Sequence, residues 1–160
     1  MGGLGSGWQR EKRATVEDSV ELVASELVDG KAIVTGKWSV GAYSWTHRGA
    51  DAPHMTIGYE ANLADRGNAW LRLFYLRSGE PVDYKLKLVA TTPHYGGLRW
   101  WFICPLVRTD NGPPRRVAKL YLPPGGKYFG SREGYGLTYT SCQESGKNRG
   151  FLRLLERAAA

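Results

Sequence analysis

Alternation of apolar and polar residues in the middle of the chain limits its fold more than any other feature. Between residues 82 and 89 the apolar positions are Val82, Tyr84, Leu86 and Leu88, and the polar positions between them are Asp83, Lys85 and Lys87. A period of two is typical of a β-strand that buries one face and exposes the other. This segment is therefore predicted to be a half-buried strand with a basic outer face.

Further segments predict that this strand belongs to an antiparallel sheet. Short apolar and β-branched runs are separated by turn signals rich in Gly, Pro, Ser and Asp, as in sheets whose neighbouring strands are joined by short turns. The predicted strands are Val40–Trp45, Met55–Tyr59, Trp70–Leu76, Val82–Val89, Leu98–Ile103 and Arg115–Leu122. The predicted turns after residue 77 are Ser78–Pro81, Pro93–Gly97 and Pro123–Gly126.

Two helices are predicted near the ends of the chain. The first begins at Thr15, whose hydroxyl can cap the backbone together with Asp18, and it stops at Gly30. Its inward face is predicted to comprise Val16, Val20, Val23 and Leu27. Its other face is acidic, so it should point away from any bound nucleic acid. The second helix spans about residues 147–159, and its cationic stripe consists of Arg149, Arg153 and Arg157.

These elements predict an α+β fold that is mostly antiparallel β, with a short N-terminal helix and an amphipathic C-terminal helix. We expect a flexible Gly-rich leader at 1–14, a helix with a sheet at 15–92 and a subdomain at 93–160, together forming one compact domain. The sequence contains neither an apolar run long enough to cross a bilayer nor a signal-peptide core. We therefore expect a cytoplasmic protein with no membrane partner, in which Cys104 and Cys142 stay reduced.

Positive charge is concentrated in the second half of the chain. The net charge is +7, and residues 85–160 carry 13 Lys and Arg against 4 Asp and Glu, a balance of +9. Residues 1–84 carry 9 against 11, a balance of −2. A basic half of this kind attracts polyanions, whereas in the alternative the cations only solubilise exposed strand faces.

Residues 104–139 have the outline of a zinc ribbon without most of its ligands. Cys104 and the proline after it follow an apolar strand, as the first ligand of a zinc knuckle often does. A second knuckle needs cysteines at 131 and 134, where this chain has Ser131 and Gly134. One thiolate with the carboxylates of Asp110 and Glu133 makes a poor tetrahedral zinc site. We expect a degenerate zinc-ribbon-like C-terminal half that holds no metal and no other cofactor.

Four segments give the chain a resemblance to a widespread group of small bacterial proteins for which no activity is established. They are Gly2–Trp8 (GGLGSGW), Gly96–Pro105 (GGLRWWFICP), Arg115–Gly126 (RRVAKLYLPPGG) and Tyr135–Tyr139 (YGLTY). The resemblance implies a zinc-ribbon-like architecture rather than a reaction. Because this chain departs from the group's pattern at three of the four metal positions, the resemblance does not imply zinc binding.

Catalytic patterns are sparse. His47, His54 and His94 lie in separate segments and do not have a metal-binding spacing. A thiol enzyme would need Cys104 or Cys142 as an unusually reactive nucleophile. We predict that the protein is not an enzyme and has no catalytic residues.

Cations interleaved with aromatic rings favour nucleic acid as the partner, because single strands bind cationic surfaces whose rings stack on bases. The predicted phosphate-contacting residues are Arg99, Arg115, Arg116, Lys119, Lys127, Arg149, Arg153 and Arg157. In the structural alternative Trp100, Trp101 and Phe129 fill the core and the cations coat it. The alternative function is a protein-interaction module, such as an adaptor or inhibitor of a nucleic-acid-processing complex. The sequence does not distinguish DNA from RNA.

Overall fold

The structure is a computed structural model that describes residues 13–46 and 49–143. In this part of the chain the elements are β1 (Val20–Val23), α1 (Ala24–Asp29), β2 (Trp38–Trp45), β3 (Met55–Asn62), β4 (Trp70–Arg77), β5 (Glu80–Thr91), β6 (Arg99–Ile103), β7 (Arg116–Val117) and β8 (Lys119–Leu122). A helical turn follows at 140–143. Residues 1–12 of the leader predicted at 1–14, His47 and the C-terminal helix predicted at 147–159 lie outside the described residues. None of the helices described is long and apolar enough to cross a membrane.

Six strands form one antiparallel sheet in sequence order, from β2 to β7, and each strand pairs with the next along the chain. The hairpin between β4 and β5 turns through two residues, Ser78 with φ 52° and Gly79 with φ 81°. Positive φ at both central residues is the geometry of a type I′ turn, whose twist matches that of the flanking strands. The prediction of a mostly antiparallel β fold with a short helix is confirmed. Strands from both sides of the predicted boundary at residue 92 pair in this one sheet, because β5 pairs with β6.

A second layer covers the inner face of this sheet. It contains the two-stranded sheet of β1 and β8, helix α1 with the loop that follows it, and the segment around Phe129. The side chain of Phe129 is fully buried. Three inner-face side chains reach it by hydrogen bonds: Trp45 Nε1 donates to Glu21 O at 2.7 Å, Tyr59 Oη to Ala32 O at 2.8 Å and Trp100 Nε1 to Thr35 Oγ1 at 2.9 Å. The apolar core lies between the two layers.

The N-terminal helix begins at Ala24, and the predicted start at Thr15 is wrong. The expected capping contact does form, because Asp18 N donates to Thr15 Oγ1 at 3.2 Å, but a turn follows it rather than a helix. Residues 20–23 pair with β8 as a strand. Their β-branched valines favour extended backbone, and the pairing buries Leu22, which the predicted helix left off its inward face. The helix ends at Gly30 as predicted.

The single strand predicted for Arg115–Leu122 is also wrong, because the chain changes sheets at Ala118. Residues 116–117 pair with β6, residues 119–122 pair with β1, and the Ala118 carbonyl accepts a 3.0 Å hydrogen bond from Ala24 N. An unbroken strand would have placed Lys119 on the same inner face as Val117. The crossover exposes Lys119 instead and buries Leu120 in the core.

Hydrogen bonds from β4 and β5 hold the segment around Phe129 against the sheet. Phe129 N donates to Tyr84 Oη at 2.9 Å, and Tyr75 Oη donates to Lys127 O at 2.7 Å. The ring of Phe129 packs edge-on against Tyr75, with 5.9 Å between the ring centroids. Burial raises the pKa of Tyr84 well above its ordinary value, so this phenol stays neutral. The Tyr84 hydroxyl is thus the partner of an interior backbone N–H.

Removing the Tyr84 hydroxyl tests this attachment. Tyr84→Phe leaves the Phe129 N–H without its partner, which should lower the free energy of unfolding by about 1–3 kcal/mol. Tyr95→Phe is the matched control. Because Tyr95 is 98% exposed, removing its hydroxyl should leave the free energy of unfolding unchanged. Urea unfolding of both variants measures the difference. Equal stability of the two variants would show that the hydroxyl does not hold the segment.

Candidate nucleic-acid interface

The outer face of the six-stranded sheet brings several cations together. Lys87 lies opposite Trp70, Lys85 lies opposite Arg72, and the next strand places Arg99 opposite Thr91. Cross-strand partners point to the same side of a sheet, so all of these side chains share one face. The predicted alternation in β5 is confirmed: Val82, Leu86 and Leu88 are buried, whereas Asp83, Lys85 and Lys87 are exposed.

Trp101 on β6 is the centre of the most basic part of this face. The guanidinium carbon of Arg99 lies 4.2 Å from the centroid of the Trp101 ring, and that of Arg116 lies 5.0 Å from it. Both distances are in the range of cation–π attraction. Trp101 Nε1 donates to Thr91 Oγ1 at 2.8 Å, which sets the orientation of the indole. We call Arg99, Trp101 and Arg116 the Trp101 cluster.

The cations of this region are not neutralised by neighbouring carboxylates. In residues 13–46 and 49–143 the ion pairs involve other cations, and none includes Lys85, Lys87, Arg99 or Arg116. A cation without an acidic partner keeps its full attraction for an external anion, whereas a paired one must first give up its partner. Phosphate groups can therefore approach Lys87, Arg99 and Arg116 directly, whereas Lys85 is also attracted to Asp83 on its own strand.

A second aromatic group lies on the same face two strands away. Lys85 Nζ lies 4.1 Å from the centroid of the Trp70 ring, and Trp38 meets Trp70 edge-to-face at 5.5 Å. Arg72 beside them is engaged by acids, 2.6 Å from Asp83 and 3.2 Å from Glu60. Hydrogen bonds from Arg72 hold the pKa of Asp83 below its ordinary value. This part of the face is therefore closer to neutral than the Trp101 cluster.

The structure separates the cations predicted as phosphate contacts. Arg99 and Arg116 come together on the outer face, as described above. Arg115 lies 3.7 Å from Glu133, Lys119 pairs with Glu21 across the β1–β8 sheet, and Lys127 lies 3.5 Å from Glu80. Arg149, Arg153 and Arg157 lie outside the described residues. Of the five predicted cations that are described, Arg99 and Arg116 have no acidic partner within residues 13–46 and 49–143.

Sequence reasoning left Lys85, Lys87 and Trp70 out of the site. The signal was present for the lysines, because their alternation with Leu86 and Leu88 already predicted a basic outer face. The sequence left open whether Trp100 and Trp101 fill the core or lie on the surface. In the structure Trp100 is buried, and Trp101 is half-buried on the outer face. Consecutive residues of a strand point to opposite sides, so one ring fills the core and the other is accessible.

The acidic residues of the N-terminal segment lie on the other side of the sheet. Glu21 belongs to β1 in the second layer, where it pairs with Lys119. Helix α1 packs against the inner face through Ala24 and Leu27, which are buried in the core. Helix α1 therefore lies on the side of the sheet opposite the Trp101 cluster, and its orientation relative to a bound nucleic acid stays a prediction. In the described residues the carboxylates of the second layer therefore form no ion pair with the Trp101 cluster.

Cys104 and Ser131 lie side by side, where the sequence outlined two knuckles. Ser131 N donates to Cys104 Sγ at 3.2 Å, and Gly134 N donates to Ser131 Oγ at 3.0 Å. These residues line a cavity of about 150 Å³ whose rim carries the Arg108–Asp110 pair. Hydrogen bonds from Arg108 hold the pKa of Asp110 well below its ordinary value. The described residues contain no cluster of three or more His, Cys, Asp or Glu that could hold a metal ion.

Comparison with other proteins does not identify the chain. No protein-family model matches it, and no curated protein or solved structure is similar to it. The function is therefore inferred from the geometry of the outer face itself.

Proposed function

We propose that the protein binds single-stranded nucleic acid on the outer face of its six-stranded sheet. The observation that carries this proposal is the Trp101 cluster, in which two guanidinium groups lie within 5.0 Å of the ring of one half-buried indole on the outer face. Neither guanidinium group has a carboxylate partner in the described residues. Arginine binds phosphate through its fork of N–H donors, and an indole ring stacks on a base. Both parts of a nucleotide thus find a partner within one cluster.

Lys85 and Lys87 extend the positive surface from the cluster along β5. They lie two residues apart on the same face, a separation of about 7 Å along the strand. Across the sheet, Trp101 on β6 is separated from Trp70 on β4 by two strand spacings, about 10 Å. A strand of nucleic acid that crosses the face would therefore meet two aromatic platforms with lysines between them.

A flat sheet face favours single strands over duplexes. Bases in a duplex are stacked on one another and present only their edges, whereas unpaired bases can lie on aromatic side chains. The outer face offers rings and point charges rather than a helix or ribbon that would enter a groove. The proposal covers both DNA and RNA.

The remaining cations contribute through the long-range field. The basic balance of residues 85–160 attracts a polyanion before contact is made. Arg115, Lys119 and Lys127 already pair with carboxylates, so we assign them no direct phosphate contact. Arg149, Arg153 and Arg157 add positive charge to the same half of the sequence.

We extend the proposal to the origin and role of the chain. We propose that residues 104–134 keep the outline of a zinc-ribbon-like scaffold like that of the bacterial group that the four sequence segments resemble. The adjacency of Cys104 and Ser131, two positions where a zinc ribbon has ligands, is the observation in favour. We propose a non-enzymatic, cytoplasmic binding protein. The scaffold would support the loop that leads into β7 and Arg116.

A protein-interaction module is the second candidate, and a different part of the outer face favours it. Trp38, Val40 and Leu76 are 59%, 71% and 73% exposed on that face. Exposed apolar side chains that share one surface are typical of protein contacts. Nuclease treatment separates the candidates, because a stoichiometric protein partner survives it and a partner held through nucleic acid does not.

Charge removal at the Trp101 cluster provides the main test of the proposal. Arg99→Ala with Arg116→Ala should weaken binding of a fluorescent single strand by about tenfold or more for each arginine. The slope of log affinity against log salt should fall by about 1.4, because two phosphate contacts are lost.

The matched control removes the same charge elsewhere. Lys119→Ala with Lys127→Ala removes two cations that pair with Glu21 and Glu80. It should leave the salt slope close to wild type, because no phosphate contact is lost, and it should lower affinity much less than the arginine variant does, because only the long-range attraction falls. Fluorescence anisotropy across a salt titration measures all three proteins. Equal losses in the two double variants would mean that net charge, rather than the outer face, determines binding.

Truncation of the indole tests the preference for single strands. Trp101→Leu removes the stacking surface, which is worth about 1–3 kcal/mol per base, so affinity for single strands should fall by about 5- to 150-fold. Binding to a duplex of the same length should change much less, because it depends on phosphate contacts alone. Thermal unfolding confirms that the variant is folded. Parallel losses on both substrates would refute stacking on Trp101.

A further inference from the structure

The two edges of the six-stranded sheet are built differently. At one edge β7 has only two residues, follows Pro113 and Pro114, and carries the exposed charge of Arg116. Short length, proline and charge are the features by which proteins keep a sheet edge from pairing with another chain. The β7 edge is therefore protected.

The opposite edge, β2, lacks these features. It has eight residues without a charged side chain or proline, and its pairing with β3 runs through eight consecutive positions without a bulge. In the described parts of the chain β2 pairs with β3 alone. Trp38 and Val40 project from it, 59% and 71% exposed. A long, regular and uncharged edge is a template for another strand.

The backbone groups that this edge presents follow from the ladder with β3. Leu63 N donates to Lys37 O at 3.0 Å, which places Lys37 at a hydrogen-bonded position. Such positions alternate along an antiparallel pair, so Ser39 and Gly41 also turn their backbone groups toward β3. Val40 and Ala42 then direct their N–H and C=O groups away from the sheet, where an added strand can bind them.

We propose that β2 pairs antiparallel with β2 of a second copy of this chain, forming a homodimer with one continuous sheet. An antiparallel pair of identical strands has a two-fold axis, so each copy offers and receives the same hydrogen bonds. The axis lies near Gly41 and Ala42, the centre of the strand. Val40 and Trp38, now exposed, are then covered by the partner strand.

Charge distribution explains why two basic chains tolerate this contact. The lysines of the outer face lie on β5, the fourth strand counted from the β2 edge, and the Trp101 cluster lies farther still. Across the interface the two β5 strands are separated by about seven strand spacings, or roughly 34 Å, against a Debye length of about 10 Å. Repulsion between the cationic surfaces is therefore screened, and the strands that meet are uncharged.

The dimer places two outer faces on one side of the joined sheet. A two-fold axis perpendicular to the sheet leaves the outer face of each copy on the same side. This arrangement would make any ligand of that face bivalent, but the dimer itself needs no ligand. Its test therefore uses protein free of nucleic acid. If no dimer forms, the proposal that a single chain binds nucleic acid on its outer face is unaffected.

Substitutions at Val40 test the pairing in the full chain. Val40→Pro removes an outward N–H while sparing the ladder with β3, and Val40→Lys places a charge at the edge. Val40→Thr is the control, because it keeps the backbone donor and the β-branched shape. Sedimentation equilibrium of nuclease-treated protein in high salt should show a wild-type dimer, a similar dimer for the threonine variant, and association weakened by about tenfold or more in the other two.

Three results would overturn the proposal. The first is a wild-type chain that stays monomeric across the concentration range. The second is dimerisation of the proline and lysine variants with the same affinity as wild type, once circular dichroism has shown that both variants are folded. The third is a dimer that appears only when nucleic acid is present.

Discussion

The pleat of the six-stranded sheet is the constraint on which the rest of the structure depends. It sends consecutive residues of β6 to opposite sides, so that Trp100 enters the core and donates to Thr35 while Trp101 meets two arginines outside. The same alternation in β5 buries Leu86 and exposes the lysines on either side of it. A single layer of backbone thus separates an apolar core from a cationic surface.

The second layer determines which face can carry function. It covers the inner face with α1, β1 and β8, and the crossover at Ala118 delivers Leu120 to the core while leaving Lys119 to pair with Glu21. Glu21 of the N-terminal segment therefore forms its ion pair on the side of the sheet away from the Trp101 cluster. The outer face keeps cations that have no acidic partner among the residues that the structure describes, and this asymmetry gives the sheet a surface suited to a polyanion.

Local patterns predicted part of the fold and of the site, and contacts between distant segments account for the rest. The period of two in Val82–Val89 was sufficient for a half-buried strand. The capping contact at Thr15 predicted a helix, but pairing of residues 20–23 with β8 favoured a strand, and no local signal reports such a partner. Arg99 and Arg116 were predicted as phosphate contacts from their neighbours in sequence, and the structure brings them together at Trp101. The sequence pattern predicted Lys119 and Lys127 as phosphate contacts in the same way. Their ion pairs with Glu21 and Glu80 could not be predicted, because these partners are remote in the chain.

The indole signals in a proton–nitrogen NMR spectrum test the central claim most directly. Titration with a short single-stranded oligonucleotide should shift the Trp101 signal, and that of Trp70 to a lesser extent. The Trp45 and Trp100 signals should stay in place, because both indoles donate to the second layer on the inner face. Shifts confined to Trp45 or Trp100, or a spectrum that the oligonucleotide leaves unchanged, would contradict binding on the outer face.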